Sequence, residues 1–316
     1  MSESKFCSTL CQQSGEPLAG TAPFAEHIVF ITWPKKYWEY EALESRGGFP
    51  TGLKKWMKEK SKICGKISIR LASRAELGND KVEIFIYPGK KHFSNVLPKD
   101  IPEILELNFQ PNISSNLSYG KFENDQIFIC THGRHDKCCA KFGQKLADQM
   151  RYFIQKQNLP IEVWESSHLG GHRFAATMID FPSGRVYGRM TPYEIPKFLE
   201  SRKRGLIYSS AYRGSLFLQE LEQVAEAHIQ HFCSIKQLNC HVKIKKMENL
   251  VEDKFRCVAA LRINDSFSES QKTIPDELTF SFKMKEFESP SGCDTLEDPQ
   301  KRKCWEMDLP LSFQII

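Results

Sequence analysis

The sequence predicts an α/β protein: two tandem βαββα-type units followed by a small C-terminal β extension. Three observations carry this. Short β-branched apolar runs alternate with longer stretches of helical periodicity, the pattern of a sheet covered by helices. That alternation starts near His27 and starts again, in the same order, near Gln126. Beyond about residue 205 the pattern changes to alternating strands separated by acidic, Ser- and Pro-containing turns. A chain of 316 residues has a prior of about two domains. The expected boundaries are 1–115, 116–205 and 206–316.

In the first unit, His27-Ile28-Val29-Phe30-Ile31-Thr32-Trp33 reads as a buried strand. Leu53, Trp56 and Met57 stand at i, i+3 and i+4, predicting a helix over about Thr51 to Ser61. Strands follow at Lys66 to Leu71 and Val82 to Tyr87, separated by the turn-like Gly78-Asn79-Asp80, and a helix at Lys99 to Leu107 closes the unit. In the second unit, Gln126 to Cys130 is the first strand and Cys138 to Gln157 a long helix. Ile161 to Trp164 is the next strand, and Arg173 to Phe181 with Arg185 to Met190 reads as a hairpin across Pro182-Ser183-Gly184. Thr191-Pro192-Tyr193-Glu194 has the form of a helix start, with Thr as cap and Pro at the first helical position. Both units therefore run β-α-β-β-(β)-α, the thioredoxin-like order, with a mixed sheet and helices on both faces. A helix from Ser215 to Phe232 leads into strands at Val242 to Lys246, Phe255 to Ile263, Leu278 to Met284 and Trp305 to Phe313.

Composition excludes several classes. Apolar residues make up 41% and charged residues 26%, close to the globular average, so wholesale disorder is not expected. No apolar run approaches 18 residues, so neither a spanning helix nor a membrane role is expected. The net charge of +5 over the whole chain is too mild to imply nucleic acid. No Gly-rich phosphate loop occurs, so bound nucleotide is not indicated. The N-terminal text lacks a secretory h-region, and the expected compartment is the reducing cytoplasm. There, 11 cysteines are unusual. No Cys-x-x-Cys occurs, which argues against a dithiol exchange enzyme.

One constellation points to chemistry. The second unit's first strand ends in Cys130, and eight residues separate Cys130 from Cys139. Just past the strand Ile161 to Trp164 comes His168-Leu169-Gly170-Gly171-His172. In a thioredoxin-like unit the first two strands are parallel neighbours, so the loops at their C-terminal ends converge. Two thiols and two imidazoles would then face a common point. The two glycines between the histidines permit positive φ and a tight curl. Soft thiolates with imidazoles suit zinc or an iron–sulfur cluster. The His-x3-His half fits zinc spacing; the wide Cys–Cys gap suits a larger, two-iron object better. A structural zinc site remains open on these residues.

Cys-x8-Cys followed by His-x-Gly-Gly-His resembles the motif of the sucrase/ferredoxin-like family. Gly15-Glu16-Pro17-Leu18-Ala19-Gly20-Thr21-Ala22 and Tyr212-Arg213-Gly214-Ser215 also resemble family signatures, and the likeness covers most of the chain, weakening in the C-terminal β region. The resemblance implies a thioredoxin-like ferredoxin domain with a [2Fe–2S] cluster on Cys130, Cys139, His168 and His172. It implies one-electron transfer with an unidentified redox partner protein. No paired-carboxylate arrangement supports a glycosidase role. With two neutral imidazoles replacing two thiolates the oxidised cluster sums to zero charge, not −2. Such substitution raises the potential in Rieske centres to about −150 to +300 mV. No catalytic residue is assigned. The rivals are a zinc-binding interaction module and a cluster-dependent reductase of a small molecule.

Plainer readings apply to the neighbours. Cys138 is the alternative to Cys139 as ligand, and otherwise a packed residue at a helix start. His132 and His135 read as solvated residues or as supports for ligands, Asp136 as a helix cap, and Arg173 as a plain surface charge or a hydrogen-bonding neighbour of the cluster. Cys7 and Cys11 read as stray thiols. Cys64, Cys233, Cys240 and Cys257 read as core fillers, and Cys293 and Cys304 as a pair that a reducing compartment keeps apart. Near Ile31, the first unit has no counterpart to Cys130, so it keeps the fold without the cluster. Trp33, Tyr37 and Trp38 read as packing, and the basic run Lys54 to Lys62 as a solvated helix face.

Overall fold

The computed structural model describes residues 6–74, 80–110, 119–120, 122–251, 254–263 and 277–308. The first repeat comprises β1 (His27–Thr32), β2 (Ile67–Ser73), β3 (Val82–Tyr87) and β4 (Lys91–Val96), with α2 (Leu53–Cys64) and α3 (Ile101–Asn108). A short α1 (Cys7–Gln13) precedes it. The second repeat has β5 (Asp125–Cys130), β6 (Ile161–Ser166), β7 (Met178–Phe181) and β8 (Arg185–Tyr187), with α4 (Gln144–Lys156) and α5 (Ile195–Lys203). In each, the first two strands are parallel and the third pairs antiparallel on the first strand's other side. Both repeats thus have strand order 2-1-3-4, the thioredoxin-like arrangement. The edge strand β4 lacks apolar alternation, which hid it in the sequence.

The two repeats share one sheet. Its order, β4-β3-β1-β2-β6-β5-β7-β8-β9, is nearly symmetric about the β2–β6 junction. That junction is antiparallel and short, pairing Ala72 with Ser166 and Ser73 with Glu165. Alternation along the strands explains the layering. Val29 and Ile31 of β1 pack under α2 and α3, whereas Ile127 and Ile129 of β5 pack under α4 and α5. The intervening residues Ile28, Phe30, Phe128 and Cys130 share a single inner core with Phe85, Trp164 and Phe181. The rings of Phe30 and Phe128, equivalent positions of the two repeats, stack 3.6 Å apart although their strands are not neighbours. The sheet therefore folds over on itself. Each repeat carries helices on one face only, and its other face packs against its twin.

Several expected bounds shift. The register makes Thr32, not Ile31, the counterpart of Cys130. The expected hairpin strand from Arg173 begins only at Met178, because His172–Phe174 forms a 3₁₀ turn; the second ends at Tyr187. The helix expected from Ser215 is preceded by β9 (Tyr212–Ser215) and starts at Glu220, as α6 (Glu220–Ile235), where Gln219 and Glu222 form a capping box. Thr191 and Glu194 also form a capping box, before α5. The C-terminal extension is an antiparallel meander of β10 (Cys240–Val251), β11 (Lys254–Ile263), β12 (Glu277–Pro290) and β13 (Pro299–Met307). Val224, Ile229 and Cys233 of α6 pack against its Cys257, Phe282 and Trp305. The expected strand up to Phe313 and the turn at Gly78 extend outside the described residues.

The inner stack gives a stability prediction. Replacing Phe128 with Ala should lower the unfolding free energy by ~3–5 kcal/mol, read from the urea midpoint, and Phe128→Leu by much less.

Candidate metal centre

Cys130 and Ser166 are register partners at the C-terminal ends of β5 and β6, so the loops that follow start side by side. After β5 the chain turns through His132–His135, and Asp136 caps the next helix, accepting the Cys138 N–H at 2.7 Å. The helix opens with a π-helical turn, Cys139–Gly143, before continuing as α4. This turn lies directly against the end of β5. A Cβ on Gly143 would stand 1.8 Å from the Cys130 carbonyl oxygen, so only glycine fits there. Cys139 is thereby brought next to Cys130.

The other loop is held from the first repeat. Ser167 donates its N–H to Leu71 O at 2.8 Å, and its hydroxyl accepts the Leu71 N–H at 2.9 Å. The next residue, His168, donates its backbone N–H to Nδ1 of His132 at 3.2 Å. Gly170 and Gly171 both have positive φ, +91° and +76°, and turn the loop back so that His172 faces His168. Arg213, fully buried, holds this turn. It donates to Gly170 O at 3.1 Å, to Thr21 Oγ1 at 3.0 Å and to Thr21 O. Three of the stretches that carry the resemblance, 15–22, 168–172 and 212–215, thus meet at one guanidinium.

The four predicted ligands come close in two overlapping groups. Donor atoms of Cys130, Cys139 and His168 all lie within 4.8 Å of one another, with Cys139 Sγ 3.9 Å from His168 Nδ1. His172 does not join that triad. It belongs to a second group with His135 and His168, the two ligand rings being 5.3 Å apart. Cys138 points elsewhere, towards Cys7 and Cys293.

The donor chemistry suits a soft metal. The Cys139 thiol hydrogen-bonds to Cys130 and, with His168, holds Cys130 well below the usual thiol range against the cost of burial. The same contact and burial push Cys139 up. His172 Nε2 lies 2.5 Å from Ser291 O, and a carbonyl can only accept, so Nε2 carries the proton. His172 Nδ1 is buried with no hydrogen-bond partner, and its lone pair is free for a metal. Burial, with His168 close by, pushes His135 down to about 4, so it is neutral at pH 7. Its ring stacks on His168 at 3.7 Å.

Several neighbours differ from their sequence readings. His132 is buried rather than solvated, with Trp38 edge-on to its ring. Arg173 is no plain surface charge: it pairs with Glu16, fully buried, at 2.8 Å. Glu16 also accepts from Cys11 and Ser289. Cys293 and Cys304 are not joined, and no disulfide links any of the 11 cysteines. Lys54 and Lys60 of the basic run pair with Glu41 and Glu106. A groove of about 690 Å³ runs along α2, lined by other residues than the four ligands. Ser291 and Gly143 were missed in the sequence. Gly143 carried a faint signal, a glycine four residues after Cys139; Ser291 carried none.

Fold and donor set together define a class: a thioredoxin-like α/β protein with a candidate soft-metal site at two parallel strand ends. Within that class, the chain belongs to the sucrase/ferredoxin-like family, whose family model matches residues 18–214. Among curated proteins it is similar to "Altered inheritance of mitochondria protein 32" of Debaryomyces hansenii, 33% identical over 98 residues, 29% of this chain and 36% of that protein. The protein of the same name from Clavispora lusitaniae is 29% identical over 163 residues, 43% of this chain and 59% of its own length. The matched stretches thus span between about a third and three-fifths of these relatives. A solved thioredoxin-like [2Fe–2S] ferredoxin from Aquifex aeolicus aligns with 28% of this chain and 90% of its own, at 16% identity and a TM-score of 0.26. Among the described residues, no helix is long and apolar enough to cross a membrane.

Gly143 tests the packing of the site. Gly143→Ala should displace the π-helical turn from Cys130 and cut bound metal per chain severalfold, measured by elemental analysis, with far-ultraviolet circular dichroism retained.

Proposed function

We propose that the protein is a one-electron carrier in which Cys130, Cys139, His168 and His172 hold a [2Fe–2S] cluster. The observation that carries the reading is the donor geometry. The buried Cys130 and Cys139 thiols lie with His168 within 4.8 Å of one another, and His172, held at Nε2 by Ser291, keeps its Nδ1 lone pair unpartnered. Family membership supports it, as do two overlapping donor groups, Cys130 and Cys139 with His168, and His168 with His172 and His135, which together offer more donors than one ion needs. Bound there, such a cluster would take up and release one electron at a time.

The chain's own groups set the conditions. Two thiolates and two neutral imidazoles contribute two negative charges, against four from an all-thiolate set, which favours electron uptake. Cys130 and Cys139 are buried, whereas His135, His168 and His172 are only half-buried. Exposed Tyr40 stacks on His135 at 4.7 Å and extends that imidazole edge. A redox partner protein would dock there, nearest the site. Eleven cysteines without a disulfide fit a reducing compartment. The relatives' name makes mitochondria the first place to look, ahead of the cytoplasm expected from sequence.

One observation favours a second reading. His135, His168 and His172 form a three-imidazole group of the kind that holds zinc. The two readings separate on His135, which is a zinc ligand in one and only a stacking neighbour in the other.

Anaerobically purified protein should be red-brown, hold two irons and two sulfides per chain, and give an electron paramagnetic resonance signal after dithionite. Colourless protein with one zinc on these residues would overturn the carrier reading. His135→Ala should leave iron content unchanged. His172→Cys should keep the cluster and lower its midpoint potential, because a thiolate adds negative charge. In the unsubstituted protein the potential should fall as pH rises between about 6 and 9, since an imidazole N–H can titrate with reduction; a flat profile would exclude that coupling.

A further inference from the structure

Beside the candidate cluster lies a second set of metal donors. Cys7 opens α1, Cys138 stands at the start of the helix that becomes α4, and Cys293 lies in the turn between β12 and β13. They are far apart in sequence, yet their sulfurs meet. Cys7 Sγ is 3.4 Å from Cys138 Sγ and 3.7 Å from Cys293 Sγ, and Cys138 and Cys293 are 3.2 Å apart. The carboxylate of Asp136 lies 3.9 Å from Cys7 Sγ. One donor atom from each of the four residues lies within 4.8 Å of the others.

Three points separate this from chance packing. With Zn–S bonds of about 2.3 Å, sulfurs at the corners of a tetrahedron stand ~3.8 Å apart, close to the observed spacings. The thiols adjoin polar groups: Asp136 on one side and the Ser8 hydroxyl, 3.3 Å from Cys138 Sγ, on another. Cys7 and Cys138 are fully buried and Asp136 is 7% exposed, so a carboxylate is enclosed among thiols. Such an arrangement is costly unless a positive charge completes it. Asp136 accepts the Cys138 and Cys293 N–H groups, one on each oxygen, which aims it at the thiols and leaves lone pairs for a metal.

We propose that Cys7, Cys138, Cys293 and Asp136 form a four-coordinate structural zinc site, distinct from the cluster. Binding would release to solvent whatever protons the three thiols still hold and leave every bond to carbon intact. The ion would clasp α1, the start of the α4 helix and the 291–293 turn. That turn carries Ser291, the acceptor for His172, so zinc here would steady the support of a cluster ligand.

The test is elemental analysis of the full-length protein, purified anaerobically, exposed to excess zinc and dialysed. About one zinc per chain is expected where iron fills the cluster site and about two where zinc occupies it instead, so failure of the cluster reading shows as a second zinc and not as loss of this one. Cys7→Ser and Cys293→Ser should each lose that zinc while keeping most of the iron and the visible spectrum. As a check against misfolding, cobalt(II) added to a Cys139→Ser/His172→Ala background should give a thiolate-to-cobalt band, which Cys293→Ser, on its half-exposed turn, should weaken severalfold. Three results would overturn the proposal: less than about a tenth of a zinc per chain, zinc retained by both serine variants, or loss of two hydrogens by mass from a disulfide among the three.

Discussion

The short antiparallel junction between β2 and β6 is the contact on which the rest of the molecule depends. It pairs only Ala72 with Ser166 and Ser73 with Glu165, yet it makes one sheet of two repeats. Because the pairing is at the strands' C-terminal ends, the sheet can fold over there and bring Phe30 onto Phe128. The junction also continues past β6 as the Leu71–Ser167 hydrogen bonds, ending one residue before His168. The first repeat has no thiol or imidazole at the matching strand end; Thr32 stands there and accepts the Glu83 N–H. Its contribution to the site is mechanical: it fixes where the second repeat's histidine loop begins.

The opposite side of that loop is fixed by buried charge. Burying a guanidinium is costly unless its donors are satisfied. Arg213 meets that condition with Gly170 and Thr21, and a Cβ on Gly171 would stand 2.5 Å from its Nη2. The Arg173–Glu16 pair follows the same rule beside His172, with Ser289 and Cys11 completing Glu16. Removing one partner of such a pair would strand the other charge. The N-terminal segment and the C-terminal meander thus both reach the site through polar contacts that leave few alternatives.

Adjacent cysteines at one helix start end up in different environments. Successive side chains on an α-helix are rotated by about 100°, so Cys138 and Cys139 cannot both face one point. Cys139 turns inward to Cys130 and His168; Cys138 turns to Cys7 and Cys293. The choice between them, open on spacing alone, comes down to helix geometry plus the close approach at Gly143.

The sequence by itself determined the α/β class, the repeated order of elements and the convergence of two loops. Each is a local matter: periodicity, caps such as Thr191 with Glu194, and the short reach from a strand end to the residues after it. Together with the family resemblance it also pointed to Cys130, Cys139, His168 and His172, two near one strand end and two near its parallel neighbour. Only the tertiary structure decided what surrounds them. His172 depends on Ser291, 119 residues away, Arg173 on Glu16, and Cys7 on Cys138 and Cys293. The fold-over that put helices on one face of each repeat was equally invisible, since both strand faces read as apolar whichever layer covers them. Such pairings leave no mark on spacing or periodicity. They exist because distant segments compete for the same few positions beside a site, and packing, not local sequence, settles which segment occupies them.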